Sequence, residues 1–171
     1  KLEPGHLLWI ENGRLSKEQY WDLEFDRQNE SLDEQEWSAR ITDTLQSAIR
    51  CHLESDVPVG AFLSGGVDSS IVVAIMAENV SEPVTTFTMG FGGNSPLLDE
   101  RRYAKELAGQ YRLKYNEFTV SPDLSSIVDE VVQAFDEPFA DDSVVPSYYI
   151  SQLTARQVKV ALSGLGGDEL F

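Results

Sequence analysis

The chain has 171 residues, enough for one domain of ordinary size with a buried core. Its 29 acidic and 13 basic residues leave a formal charge of −16, a surface that repels nucleic-acid backbones and anionic membranes. Cys51 is the single cysteine, which excludes an internal disulfide and fits a reducing compartment. No apolar stretch approaches the length of a membrane span and nothing resembles a signal peptide, so the cytoplasm is the expected location. The chain begins at Lys1 and stops at Phe171, just after a glycine-rich turn, and reads as a piece of a longer protein.

In chain order, Leu7-Leu8-Trp9-Ile10, then Glu11-Asn12-Gly13-Arg14, then a run to Tyr20-Trp21 predicts a hairpin with an Asn-Gly turn. Asp22 to Glu30 is polar and reads as a linker. Ser31 opens a long helix: Ser31 and Glu34 make a capping-box pattern, and Trp37, Ile41, Leu45, Ile49 and Leu53 recur every four residues. Cys51 and His52 lie in it as neighbours on different faces, which suits packing or surface rather than a metal or a nucleophilic pair. Strand and helix then alternate. The expected strands are Val59–Leu63, Val84–Met89, Tyr115–Val120 and Val158–Leu162; the helices are Ser69–Val80, Asp99–Gln110, Leu124–Phe135 and Pro146–Ala155. Such alternation specifies an α/β fold with a parallel sheet flanked by helices.

Two strand ends are chemically loaded. Val59–Leu63 runs into Ser64-Gly65-Gly66-Val67-Asp68-Ser69-Ser70, and Val158–Leu162 runs into Ser163-Gly164-Leu165-Gly166-Gly167-Asp168-Glu169. Both repeat one design: apolar strand, serine, glycines, aspartate. Glycines let the backbone approach a ligand closely, successive N–H groups form an anion nest, and the helix after Ser69 points its positive end at the same spot. The first loop lacks the lysine of a Walker loop and the spacing of the dinucleotide fingerprint. An aspartate beside a polyphosphate is repelled unless a cation lies between them, so Asp68 implies Mg²⁺. A plain small-residue turn is the alternative for the loop, and capping is the alternative for Asp68 and Asp168. Parallel strands put both loops on one sheet edge, where the two aspartates converge on one Mg²⁺.

The S-G-G-x-D-S string resembles the pyrophosphate loop of the ATP pyrophosphatases, which adenylate a substrate and release pyrophosphate. With the second loop, the chain resembles the synthetase domain of the glutamine-hydrolysing asparagine synthases. Asp56-Val57-Pro58-Val59-Gly60, Thr86-Phe87-Thr88-Met89-Gly90-Phe91, Asp99-Glu100 and Asp136-Glu137-Pro138-Phe139-Ala140-Asp141 match as well. Leu2-Glu3-Pro4-Gly5-His6 and Tyr20-Trp21 look like the tail of the family's glutaminase domain.

The resemblance implies an adenine nucleotide alpha hydrolase-like fold, incomplete at the C-terminus. Residues 1–30 would be the glutaminase tail plus linker, and residues 31–171 the N-terminal part of the synthetase domain. It implies ATP contacts at Leu63, Ser64, Gly65, Gly66, Asp68, Ser69, Met89, Ser163 and Gly164, with Leu63 and Met89 touching adenine mainly through backbone. Asp68 and Asp168 are implied around Mg²⁺ and pyrophosphate. The implied partners are aspartate or another small acid, and ammonia from a glutaminase domain upstream; a homodimer stays open. Asp141-Asp142-Ser143 either faces the substrate or caps a helix, and Arg101, Arg102, Arg156 and Lys159 read as surface charges.

One position departs. The family commonly carries an acidic residue directly after the second-loop Ser-Gly, where this chain has Leu165. An aliphatic side chain neither takes a proton nor contacts a cation, so such a role falls elsewhere, with Glu169 a candidate. Three readings follow: asparagine synthesis from aspartate through an acyl-adenylate, amide or lactam formation on another acid, or a nucleotide-binding module without turnover.

Overall fold

The computed structural model describes residues 1–24, 32–92, 100–121, 123–135, 141 and 143–170. The chain divides into two compact units, Lys1–Arg40 and Ile41–Phe171. The first unit holds an antiparallel hairpin of β1 (His6–Glu11) and β2 (Arg14–Gln19), closed by the Glu11–Arg14 pair. Its turn is the expected Asn-Gly: Asn12 and Gly13 both take positive φ, 50° and 77°, whose twist matches that of the flanking strands.

Helix α1 (Glu34–Leu53) starts three residues later than its sequence suggests. The reciprocal cap is Asp33 with Glu36: the Glu36 N–H donates to Asp33 Oδ1 and the Asp33 N–H donates to the Glu36 carboxylate, both at 2.9 Å. Asp33 and Glu36 have the same spacing as Ser31 and Glu34, with a charged acceptor at both ends. Ser31 and most of the expected linker lie outside the described residues. The apolar stripe is buried only from its middle onward: Ile49 joins the core with Leu45 and Leu53 against it, whereas Trp37 is exposed beneath the Arg40 guanidinium. Cys51 is exposed, and the His52 ring bonds the Ala48 carbonyl one turn back, consistent with a surface role for the pair.

The second unit is the α/β body. Its elements are β3 (Val59–Phe62), α2 (Val67–Asn79), β4 (Thr85–Phe91), α3 (Arg101–Gln110), β5 (Lys114–Val120), α4 (Leu124–Ala134), α5 (Val144–Thr154), β6 (Val160–Leu162) and the short α6 (Gly167–Leu170). All strand pairs are parallel, in the order β5-β4-β3-β6. Helix α5 begins two residues before Pro146, which therefore sits in the first turn, where its missing N–H has no helical partner to lose. Asp99 lies outside the described residues, and α3 is preceded by Glu100.

The core lies against β3 and β4, where Ala61, Leu63, Val73, Met76 and Ala104 are almost wholly sealed from solvent. The end of β3 is anchored to β4 by two bonds: Leu63 N–H donates to the Phe87 carbonyl at 2.9 Å, and Thr88 Oγ1 donates to the Leu63 carbonyl at 2.6 Å. Thr88 is 1% exposed, so its loss leaves the carbonyl in a dry site. Thr88→Val should destabilise the fold by about 1–2 kcal/mol with little change in shape, read as a lower midpoint in urea unfolding.

The strand order decides where a ligand binds. The chain steps outward from β3 to β4 to β5, then returns through α4 and α5 to lay β6 on the opposite side of β3. Between β3 and β6 the direction of travel reverses, and the crevice beyond their carboxyl ends is the usual ligand site of such sheets.

Candidate functional site

Both glycine-rich loops leave the sheet at that crevice. In the first, Ser64 Oγ accepts the Gly66 N–H at 3.2 Å and meets Ser69 Oγ at 2.9 Å. Ser69 Oγ accepts the Ser64 N–H at 3.2 Å, and Ser70 Oγ donates to the Gly66 carbonyl at 2.7 Å. Gly65 turns the chain with φ +103°, and a Cβ there would strike the Glu100 carbonyl, so only glycine fits. Helix α2 starts at Val67, two residues earlier than expected, because Gly66 occupies the N-cap with extended backbone. Asp68 is consequently a first-turn residue and not the cap. Its free carboxylate and the N–H groups of Val67, Asp68 and Ser69, which have no acceptor among the described residues, all belong to the same helix end.

The second loop repeats the device. Ser163 Oγ accepts the N–H two residues on, from Leu165, at 3.0 Å, and the Gly167 N–H donates to the Gly164 carbonyl at 3.2 Å. The two loops touch. A Cβ built on Gly164 would lie 2.6 Å from the Ser69 nitrogen and 2.8 Å from the Asp68 carbonyl carbon. One built on Gly167 would collide with the Asp68 carboxylate. The glycines of one loop are therefore what lets it close on the aspartate of the other.

Together they line a cleft of about 530 Å³. Its walls include Ser64, Gly66, Asp68 and Ser69 from the first loop, Ser163, Gly164, Leu165 and Asp168 from the second, and Glu100 from the start of α3. Asp68 is half-buried; Asp168 and Glu100 are exposed, and no side-chain partner is present for any of the three among the described residues. No group of three or more His, Cys, Asp or Glu side chains that could hold a metal occurs among the described residues. Asp68 and Asp168 are the two loop carboxylates that line the cleft. That donor set fits Mg²⁺, which takes one or two carboxylates and fills its shell with phosphate oxygens and water.

Other expected residues stand apart from the cleft. Leu63 is fully buried, with its N–H given to Phe87 and its carbonyl bonded by Thr88; Met89 is half-buried near the end of β4. Neither lines the cleft. Asp141 accepts the Ser143 N–H at 2.8 Å, and that bond holds its carboxyl below the usual range. Asp142 and residues 136–140 lie outside the described residues, and Ser143 precedes α5. Arg101 is not a free surface charge: it pairs with Glu117 at 3.3 Å and bonds Thr119 Oγ1 at 3.1 Å. The cleft also receives Glu100, Val67 and Phe62. Val67 is the variable letter of the first loop and Phe62 a strand residue, and Glu100 is thirty-odd residues away, so only the folded chain brings them together.

A parallel sheet with an S-G-G-x-D-S loop at its switch point defines an adenine nucleotide alpha hydrolase-like fold. The structure of the glutamine-dependent NAD+ synthetase from Acinetobacter baumannii in complex with ADP shares the architecture, with TM-score 0.55 and 24% identity over 77% of this chain and 26% of that one. A family model described as asparagine synthase matches residues 40–171, and the chain belongs to that family. Asparagine synthetase [glutamine-hydrolyzing] 1 of Bacillus subtilis (strain 168) is 33% identical across 100% of this chain and 27% of its own length. Asparagine synthetase B [glutamine-hydrolyzing] of Escherichia coli (strain K12) is 28% identical across 98% of this chain and 32% of its own. Such synthetases are ligases. The chain spans about a quarter to a third of the curated relatives it matches.

Proposed function

We propose that this chain contributes the ATP-binding half of a ligase that joins ammonia to a carboxylic acid through an acyl-adenylate. The observation that carries the reading is the closure of the second loop on Asp68, which puts two serine-glycine turns and two aspartates around one cleft at the switch point. Residues 31–171 are read as the N-terminal part of the synthetase domain, and residues 1–30 as the tail of an upstream glutaminase domain plus linker. No helix among the described residues is long and apolar enough to cross a membrane. A cytoplasmic location rests on the lone, exposed cysteine.

In this reading Ser64, Gly65, Gly66, Asp68, Ser69, Ser163 and Gly164 hold the nucleotide. Leu63 and Met89, which the resemblance implies at the adenine, do not line this cleft, and the Leu63 N–H and carbonyl are already bonded within the sheet, so no adenine contact is assigned to them. The substrate carboxylate attacks the α-phosphorus, the bond to the β-phosphate bridging oxygen breaks, and pyrophosphate leaves. The unpaired first-turn N–H groups of α2 face the charge that develops on it. Asp68 and Asp168 would hold Mg²⁺, which when bound neutralises phosphate charge. Ammonia then attacks the acyl carbon, AMP departs and a proton passes from nitrogen to solvent, leaving an amide.

The family's namesake reaction uses aspartate, and that is the first reading for the acid. A second reading, an acid other than aspartate, is favoured by Leu165. The test is pyrophosphate release by the full-length protein supplied with ATP, Mg²⁺ and ammonia. Acid-dependent release is expected; nucleotide binding with no release under any acid would leave only a binding module.

A further inference from the structure

The first loop is held from behind at two points. At its start, the Leu63 carbonyl accepts the Thr88 hydroxyl of β4. At its turn, Gly65 lies against the main chain of Glu100, where an added Cβ would strike the carbonyl. The same carbonyl accepts the Tyr103 N–H at 2.9 Å and the Ala104 N–H at 3.3 Å, so it moves with the first turn of α3. Ala104 is sealed in the core, but Glu100 gives that turn no side-chain cap. Whatever fixes the start of α3 therefore bears on the shape of the loop.

Arg101, the first residue of the helix, ties that turn to the sheet. Its Nη1 donates to Glu117 Oε1 at 3.3 Å and to Thr119 Oγ1 at 3.1 Å, both on β5. The Tyr115 hydroxyl donates to Glu117 Oε2 at 3.0 Å and holds the carboxylate from its other side. On the way the arginine lies over Gly90 of β4, the register partner of Thr119. A Cβ on Gly90 would collide with Arg101 Nε, Cζ and Cδ. Glycine weakens a strand interior and marks a place where another group comes close; here that group is the guanidinium. The Arg101–Glu117 pair is partly exposed, and such pairs contribute little to stability. Its consequence is geometric: a planar group with fixed donors sets one orientation for the turn that carries it.

Resting on the reading of the first loop as the phosphate loop, we infer that Arg101 is a positioning residue for the nucleotide. Seated over Gly90 and held by Glu117 and Thr119, it sets the start of α3, whose Glu100 carbonyl backs Gly65 and fixes the turn of the loop. It touches no substrate and acts through Glu100.

The experiment titrates the full-length protein with Mg²⁺ and α,β-methylene ATP, and measures ATP–pyrophosphate exchange and melting temperature alongside. The variants are Arg101→Ala, Arg101→Lys, Gly90→Ala and the double variant Gly90→Ala with Arg101→Ala. Arg101→Ala should weaken analogue binding about tenfold or more, since small misplacements at a site have effects of this size or larger. KM for ATP should rise with it, while KM for the acid and the melting temperature stay near native. Arg101→Lys, which keeps the charge without the fork, should restore part of the affinity. Gly90→Ala should match Arg101→Ala, and in the double variant it should cost nothing further, because the clash it acts through is gone. Native affinity in Arg101→Ala would overturn the inference, as would a lower melting temperature with unaltered KM for ATP. Full additivity in the double variant would overturn it too, and should Arg101→Ala not fold, native affinity in both Arg101→Lys and Gly90→Ala would do the same. A native protein that binds the analogue but exchanges with no acid loses the adenylation reading, and the titration still decides the role of Arg101. One that does not bind the analogue removes both.

Discussion

Asp68→Asn should lower ATP–pyrophosphate exchange in the full-length protein by about a hundredfold or more, the scale on which losing one charge-stabilising group slows acyl and phosphoryl chemistry. The substitution keeps the shape of the side chain, and shape matters because Gly167 packs directly against this carboxylate. It removes the charge that would attract the cation. The stability consequence is small. Asp68 has no side-chain partner among the described residues and contributes only the favourable placement of an anion in the first turn of α2, worth about 0.3–1 kcal/mol. Activity and fold should therefore separate: exchange falls steeply while the melting temperature moves by a few degrees at most. Exchange at the native rate would remove Asp68 from the phosphate site. A large drop in melting temperature would mean that Asp68 is structural.

Gly164→Ala should damage both stability and nucleotide binding, for a steric reason. The added methyl would lie 2.6 Å from the Ser69 nitrogen and 2.8 Å from the Asp68 carbonyl carbon. Those atoms are backbone in the first turn of a packed helix and cannot swing aside as a flexible side chain would. Overpacking of this kind costs about 1–3 kcal/mol, and the relief available is for the two loops to part. Parting them opens the cleft and moves Asp68 away from Asp168. Nucleotide affinity should consequently fall by about tenfold or more, since about 1.4 kcal/mol corresponds to that factor. Gly109→Ala is the matched control: it lies within α3, and an added methyl meets nothing within 4 Å. That variant should be neutral or slightly more stable, with native affinity. Titration with a non-hydrolysable ATP analogue and thermal unfolding of both variants decide the matter. Native affinity in Gly164→Ala would show that the loops need not touch for binding.

Much of this chain was legible in its residues because the signals are local. Asn12-Gly13 specifies its hairpin because few other residues accept two consecutive positive-φ positions. The strand–helix alternation from Val59 onward needs only hydrophobic runs and breaks between them. The serine-glycine-aspartate turns announce themselves by composition, and their side-chain bonds, Gly66 N–H to Ser64 Oγ and Leu165 N–H to Ser163 Oγ, span two residues. Helix starts were the weaker part. At α1 two acceptable capping pairs lie two residues apart, and sequence spacing does not rank Asp33–Glu36 above Ser31–Glu34. At α2 the serine-rich string invites a later start, whereas the extended backbone of Gly66 supplies the cap with no side chain.

The neighbourhood of the loops is a different kind of fact. The residues alone determined that both loops follow parallel strands, hence that they share an edge. Nothing in them orders the strands. That β6 lies beside β3 is settled by how the whole sheet buries its apolar surface once α4 and α5 carry the chain back across it. This packing alone brings Gly164 and Gly167 against Asp68, places Glu100 at the same cleft and leaves Val67 and Leu165 standing at it. The contacts join residues about a hundred positions apart, and burial fixes such contacts only when every layer is assembled at once.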